Sequence, residues 1–423
     1  MTERLLQFIW QFQYFNRHDL FTCEGAALQI IHPGKFNTNQ GPDFLEATVR
    51  IDKTILVGNI ELHIQTSDWH KHGHHTDSNY KNVILHVVWL HNEQHCSGTI
   101  PLLDLQNRVS VILLNRYNEW MLQPDFVPCA AAIKDIKELV WISWTERMLA
   151  ERLQRKSDYV LQLLHSNNHH WEETCWQLLA KNFGMQVNAD AFEGIARSLP
   201  LSILARHKNQ LSVLEALLLG QAGLLEAGFT DSYAQLLYRE YMFHRHKYKL
   251  AKPPVAVYFL RMRPAAFPSL RLAQLAMLMH QGQHFFAAMK DAADVKTITD
   301  LLNIQANDYW HYHYKPGRSA DYKVKKLGNA MINNIVVNTV APVLFAYGVY
   351  HNDTVQKEKA MRWLAATGPE KNSITSGWQH LGIVNKHAYH SQALIELKTQ
   401  YCDKKRCLDC AVGNALLKPK PGV

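Results

Sequence analysis

Side chains alternate between faces along a strand, so the phase of an alternating stretch fixes which residues meet. Two such stretches lie side by side in this chain. Pro42-Asp43-Phe44 opens the first, which runs to Ile51; the second runs from Ile55 through Gly58-Asn59-Ile60-Glu61-Leu62-His63 to Gln65. Asp52-Lys53 between them reads as a hairpin turn. Val83 to Leu90 is apolar on both faces, the pattern of a strand inside a sheet. In the first stretch Asp43 is expected to share a face with Leu45, Ala47, Val49 and Ile51. In the second, Ile60, Leu62 and Ile64 make one face, and Glu61 and His63 point the other way, about 7 Å apart. The hairpin brings the Asp43 end to the Glu61 end. Asp43, Glu61 and His63 are therefore expected to converge on one divalent ion as its ligands. Carboxylate oxygens suit Mg²⁺ or Mn²⁺, and imidazole suits Zn²⁺ or Mn²⁺.

Histidine is concentrated around these strands. Eight of the chain's 24 histidines lie between His63 and His95. His70, His72, His74 and His75 sit with Asp77 on the connection after the second strand, where Gly73 permits an unusual backbone turn. This loop is expected to contact a metal or a phosphate over the site, with His72 and His74 the foremost candidates as further metal ligands. His86 lies within the apolar strand and reads as a core histidine with its hydrogen bonds satisfied. Asp68-Trp69 reads as the close of the preceding strand.

Elsewhere in the first 129 residues, Leu5, Leu6, Ile9, Trp10, Phe12 and Phe15 lie on a helical stripe. Ala26 to Ile31 is a short strand ended by Pro33-Gly34, and Pro101 to Leu105 and Val109 to Leu114 add further strand. From about residue 130 the chain reads helical: Ile133 to Leu164, Trp171 to Phe183 with Gly184 as a stop, Leu211 to Leu225, Ser232 to Tyr248, and Leu270 to about His280. Met331 to Tyr350 is charge-free and nearly long enough to cross a bilayer. Asn333, Asn334, Asn338 and Pro342 are costly in lipid, so it reads as a buried core helix broken at Pro342. The expected division is an α/β domain over 1–129, a helical domain over 130–325, and a helical C-terminal region over 326–423.

Three of the seven cysteines are closely spaced, in the pattern Cys402-x4-Cys407-x2-Cys410. They are expected to bind Zn²⁺ or an iron–sulfur cluster, and both usually need a fourth ligand. His387, His390 or a distant cysteine could supply it. The remaining cysteines are scattered, which points to a reducing, cytoplasmic setting rather than a disulfide framework. The net charge of +8 favours an acidic partner such as DNA or RNA. Arg261, Arg263, Lys323 and Lys325 are the expected phosphate contacts, with Tyr309, Trp310, Tyr312 and Tyr314 as stacking partners. The sequence leaves the oligomeric state open, and no membrane partner is expected. Phosphate-binding Gly-rich loops, dinucleotide fingerprints and the Gly-x-Ser-x-Gly elbow are absent from the sequence.

The order helix, three strands, connection, strand, with Pro42-Asp43 opening the second strand and Glu61-x-His63 on the third, resembles the PD-(D/E)XK nuclease core. The resemblance covers about 90 residues. It implies a restriction-endonuclease-like mixed sheet followed by a mainly α-helical domain, and metal-dependent hydrolysis of nucleic-acid phosphodiesters. Asp43 and Glu61 would hold Mg²⁺ or Mn²⁺. His63 stands where that family has lysine, and would orient or deprotonate the attacking water. Glu24 is the counterpart of an early carboxylate. Some of these nucleases also resemble this chain in carrying a cysteine-bound cluster. Over nearly its whole length the chain resembles a bacterial family classed as a domain of unknown function. The carrying residues are Gly41-Pro42-Asp43-Phe44, Gly58 to His63, Ser67-Asp68-Trp69 with His72-Gly73-His74, Arg263 to Pro268, and the terminal cysteines. Two other classes are kept open: a non-catalytic nucleic-acid-binding protein with a degenerate nuclease core, and a structural or interaction protein.

Overall fold

A computed structural model describes residues 1–93, 100–251, 253, 256–260, 262–282 and 284–418. Contacts group the chain into two units: Met1–Trp144 together with the segment from Lys398 onward, and Thr145–Leu397. The sequence division placed the cysteine segment in a separate C-terminal region. In the structure it folds with the sheet-bearing unit, because the last helix, Ala411–Leu417, packs on elements from residues 111–135.

The first unit is built on a mixed sheet. Its strands are β1 (Leu20–Phe21), β2 (Ala27–His32), β3 (Lys35–Phe36), β4 (Phe44–Ile51), β5 (Thr54–Gln65), β6 (Val83–Leu90) and β7 (Leu102–Asp104). The order is β1-β2-β4-β5-β6-β7, with β3 paired to β4. β2, β4 and β5 form an antiparallel meander, while β6 is parallel to β5 and β7 to β6. β6, apolar but for His86, is thus interior, as its composition required. Helix α1 (Glu3–Gln11) precedes the sheet and packs against β5, burying Leu5, Leu6, Phe8, Ile9 and Trp10. The short helix α2 (Asp68–Lys71) follows β5.

The hairpin turn is where the sequence put it. Ile51 pairs with Thr54, and Asp52 takes the left-handed conformation (φ 51°) while its carboxylate accepts the Ala27 N–H at 2.9 Å. The strand phase differs from the simple alternation. Phe44 pairs with Ile60 but Ala47 pairs with Gly58, so β4 carries a bulge, with Glu46 at φ 57°. The extra residue flips the parity: Phe44, Ala47 and Val49 are buried, and Asp43 does not share a face with Ala47, Val49 and Ile51. Val109 to Leu114 is not strand either. Helix α3 runs Val111–Leu122 and buries Leu113 and Trp120, seven residues and two turns apart.

The second unit is helical. Trp171–Phe183 and Ser232–Tyr248 fall on the limits read from the sequence. The long helix α4 (Glu138–Ser166) begins before the boundary between the units. The apolar run forms a continuous helix over residues 329–350 that does not break at Pro342. A π-helical stretch, Val336–Val340, widens the helix just before the proline, which re-seats the carbonyls its ring would strike. This helix is long and apolar enough to cross a membrane, and 72% of its most apolar window is buried inside the protein.

Candidate metal centre

Glu61 and His63 leave β5 on one face, as the sequence phase requires, but that face is not open to solvent. Glu61 is 5% exposed and His63 is 1% exposed. The connection after β5 folds back over them. His63 Nε2 lies 3.2 Å from His72 Nδ1 and 3.6 Å from Glu61 Oε1, and His74 Nε2 lies 3.3 Å from the same Glu61 oxygen. Among the described residues, His63, His72 and His74 form the group of three donors whose ligand atoms all lie within 4.8 Å of one another. Donors held at 2.0–2.1 Å around one tetrahedral ion lie about 3.3 Å apart, close to the 3.2 Å between His63 Nε2 and His72 Nδ1. The site grades from buried to open: His63 is buried, His74 intermediate and His72 exposed.

Neighbours hold the donors in place. His63 Nδ1 is 2.9 Å from His86 Nε2, and the parallel register sets Glu61 beside His86 on β6. If His63 offers its Nε2 lone pair to the cluster, its Nδ1 carries the proton and donates it to His86. This is the outer hydrogen bond that metal-bound histidines ordinarily make. The Tyr80 ring stacks on His74 with centroids 3.8 Å apart, and Trp69 packs edge-on to His63 and His74. Asp68 caps the end of β5, accepting the Gln65 N–H at 3.0 Å and pairing with Lys71 at 2.7 Å.

Asp43 stands behind this cluster rather than in it. Its own N–H donates to Glu61 Oε2 at 3.1 Å. Its carboxylate accepts the Leu62 N–H at 3.0 Å and the Gln7 amide at 2.8 Å. The structure therefore joins Asp43 to Glu61 and to α1, and joins Glu61 and His63 to His72 and His74. Glu3, one turn before Gln7 on α1, is close enough to interact electrostatically with Asp43, Glu61 and His72. Glu24 lies instead in the β1–β2 turn, exposed. Gln7 and Glu3 were missed from sequence. Their i, i+4 spacing on a helix whose other face is apolar is the signal that was present.

Electrostatics match this geometry. Burial raises the Asp43 and Glu61 carboxyls well above the carboxylate range, and Glu61 is raised further by Asp43. Burial and neighbouring imidazoles push His63 down to about 3 and His86 down to about 4. His74 is also lowered, chiefly by burial. His63 and His86 are thus neutral at pH 7, the form that ligates. A pair of buried carboxyls, with Arg4 acting on Asp43 too weakly to offset their burial, is a costly arrangement that a cation relieves.

The expected nucleic-acid contacts lie in the second unit. Arg263 and Lys323 are exposed, and Arg261 lies outside the described residues. Lys325 corrects the expectation. It is 4% exposed, its ammonium donates to the His311 carbonyl at 3.3 Å, and it sits over the Tyr314 ring at 3.9 Å, so it faces inward. Trp310 is also buried, donating to Glu215 at 3.1 Å, and cannot stack on a base; Tyr312 is exposed.

A meander extended by parallel strands, with imidazoles and a carboxylate converging beside β5, defines a mixed α/β unit joined to a helical one. Residues 3–373 match the family model described as "Protein of unknown function (DUF2851)", and the chain belongs to that family. No curated protein and no solved structure matches it. The matched range ends before the terminal cysteines.

Proposed function

We propose that this protein is a metal-dependent hydrolase of nucleic-acid phosphodiesters, with its ion held by Glu61, His63, His72 and His74. The observation that carries this reading is the grouping of His63, His72 and His74, whose ligand atoms lie within 4.8 Å of one another, with Glu61 Oε1 3.6 Å from His63 and 3.3 Å from His74. Three imidazoles and one carboxylate favour Zn²⁺ or Mn²⁺ over Mg²⁺, which prefers oxygen. Bound there, such an ion would lower the pKa of its water and offset charge on a phosphoryl oxygen.

The residues take roles that differ from simple substitution into the nuclease pattern. His63, neutral and bonded on one side to His86, serves as a ligand rather than as the base that replaces lysine. Asp43 positions Glu61 through its backbone N–H and adds negative charge behind the site. His72, the exposed donor, marks the side from which substrate approaches. The strand order α1, β2, β4, β5, connection, β6 supports the restriction-endonuclease-like reading of the sheet. The net charge of +8, with Arg263 and Lys323 exposed, supports a polyanionic substrate.

The test is Mn²⁺- or Zn²⁺-dependent cleavage of single- and double-stranded DNA and RNA. The reading requires cleavage that Glu61→Gln and His74→Ala each abolish. A second reading has a specific observation behind it: Glu61 and His63 are almost fully buried, as ligands of a closed structural ion are. It requires bound metal but no cleavage of any substrate, and then only the nucleic-acid-binding or interaction roles remain.

A further inference from the structure

The cysteines that are not disulfide-bonded among the described residues are Cys129, Cys175, Cys402, Cys407 and Cys410, and four of these five belong to the sheet-bearing unit. Cys129 immediately precedes the 3-10 segment Ala130–Asp135, and Cys410 immediately precedes the last helix, Ala411–Leu417. That helix packs against both Ala130–Asp135 and the turn Cys407–Asp409. Gly413 makes the close fit possible, because a side chain there would run into the Cys407 carbonyl. The result is that Cys129, far away in sequence, joins Cys402, Cys407 and Cys410. Every one of the six pairs among these sulfurs interacts electrostatically. Cys129, Cys407 and Cys410 are each under a tenth exposed.

We propose that Cys129, Cys402, Cys407 and Cys410 bind a four-iron, four-sulfur cluster. The number and identity of the ligands suit such a cluster, which is held by four cysteine thiolates. Spacing separates it from zinc. Four thiolates on one zinc ion, at about 2.3 Å each, bring their sulfurs about 3.8 Å apart. No three of these sulfurs fall within 4.8 Å of one another among the described residues, whereas the His63 group does. A cluster takes one cysteine per iron and needs the wider cage. The surroundings suit thiolate ligands: the backbone N–H groups of Gly413 and Val412 bond the Cys410 sulfur, and Lys398 and Lys405 lie near Cys402 and Cys407. The cluster would tie the C-terminal segment to the chain at Cys129. It is separate from the histidine centre and does not depend on the proposed activity.

The experiment is to purify the full-length chain without oxygen and measure iron, acid-labile sulfide and zinc. The expected result is iron and sulfide in equal amounts, near four of each per chain, with broad visible absorption that bleaches on reduction. Cys129→Ser should lose iron and sulfide as fully as Cys407→Ser does, while Cys175→Ser and His63→Ala keep them. Alkylation of the wild-type chain covers the case in which a variant fails to fold. Cys129, Cys402, Cys407 and Cys410 should be protected together and become reactive together once iron is stripped with chelator and oxidant. Zinc in place of iron, wild-type chain without metal, full iron in Cys129→Ser, or Cys129 alkylated while the other three are protected would each overturn the proposal.

Discussion

Removing the imidazole of His86 tests the architecture of the histidine centre without touching a ligand. His63 Nδ1 and His86 Nε2 lie 2.9 Å apart, both residues buried, and with His63 Nε2 given to the ion His86 is the acceptor. In His86→Ala, His63 loses the partner that fixes its tautomer and ring orientation. Loss of such an outer hydrogen bond costs about 10- to 100-fold in metal affinity, or about 1.4–2.8 kcal/mol. The stranded Nδ1–H adds about 1–3 kcal/mol to the cost of folding the metal-free chain. The assay is competition for Zn²⁺ against a chromophoric chelator, with thermal unfolding recorded alongside. His86→Gln keeps an acceptor and should recover most of the affinity. His70→Ala is the control, because His70 is exposed and its ring packs on His75 rather than on the cluster. Wild-type affinity in His86→Ala would refute the reasoning, as would an equal loss in His70→Ala.

Further outcomes follow from other parts of the chain. Burial pushes Glu215 up to about 7 from an ordinary 4.5, against the hydrogen bonds of Trp310, Tyr233 and Asn307. The folded chain therefore keeps a proton that the unfolded chain has lost between those pH values. This group's contribution is best below about pH 4.5 and worsens as pH rises to about 7, by about 3 kcal/mol. Denaturant unfolding across that range should show a shallower pH dependence in Glu215→Gln than in wild type, and parallel curves would rule the account out. Gly34 sits at φ +92°, where an added Cβ would lie 2.9 Å from the Phe44 Cβ, so Gly34→Ala should cost more than ~1 kcal/mol in the same unfolding assay. If the chain binds DNA or RNA through its basic surface, Lys323→Ala should lower the salt dependence of binding by about one ion. Lys325→Ala should lower the unfolding temperature and leave that slope unchanged.

The sequence carried much of the first unit, because strand period and turn chemistry are local. The Asp52-Lys53 hairpin, the interior β6 and the shared face of Glu61 and His63 were all readable. The bulge at Glu46 was not: one inserted residue changes the parity of a strand without changing its composition. That is why Asp43 stands behind Glu61 instead of beside His63. His72 and His74 were legible as ligand candidates from their spacing, but the fold-back that sets them against Glu61 depends on Trp69 and Tyr80 packing over the strand. Gln7, Glu3 and Cys129 come from distant segments, and only tertiary packing brings them in. Lys325 reads as a basic surface residue until the Tyr314 ring and the His311 carbonyl are seen to hold it inside.

The most direct test of the central claim is an anomalous difference map, recorded at the zinc edge, from crystals of the full chain grown with Zn²⁺. The account predicts a peak bonded to His63 Nε2, His72 Nδ1, His74 Nε2 and Glu61 Oε1 at about 2.0–2.2 Å, absent in crystals of His74→Ala. A map with no density between these four atoms at saturating Zn²⁺ would contradict it.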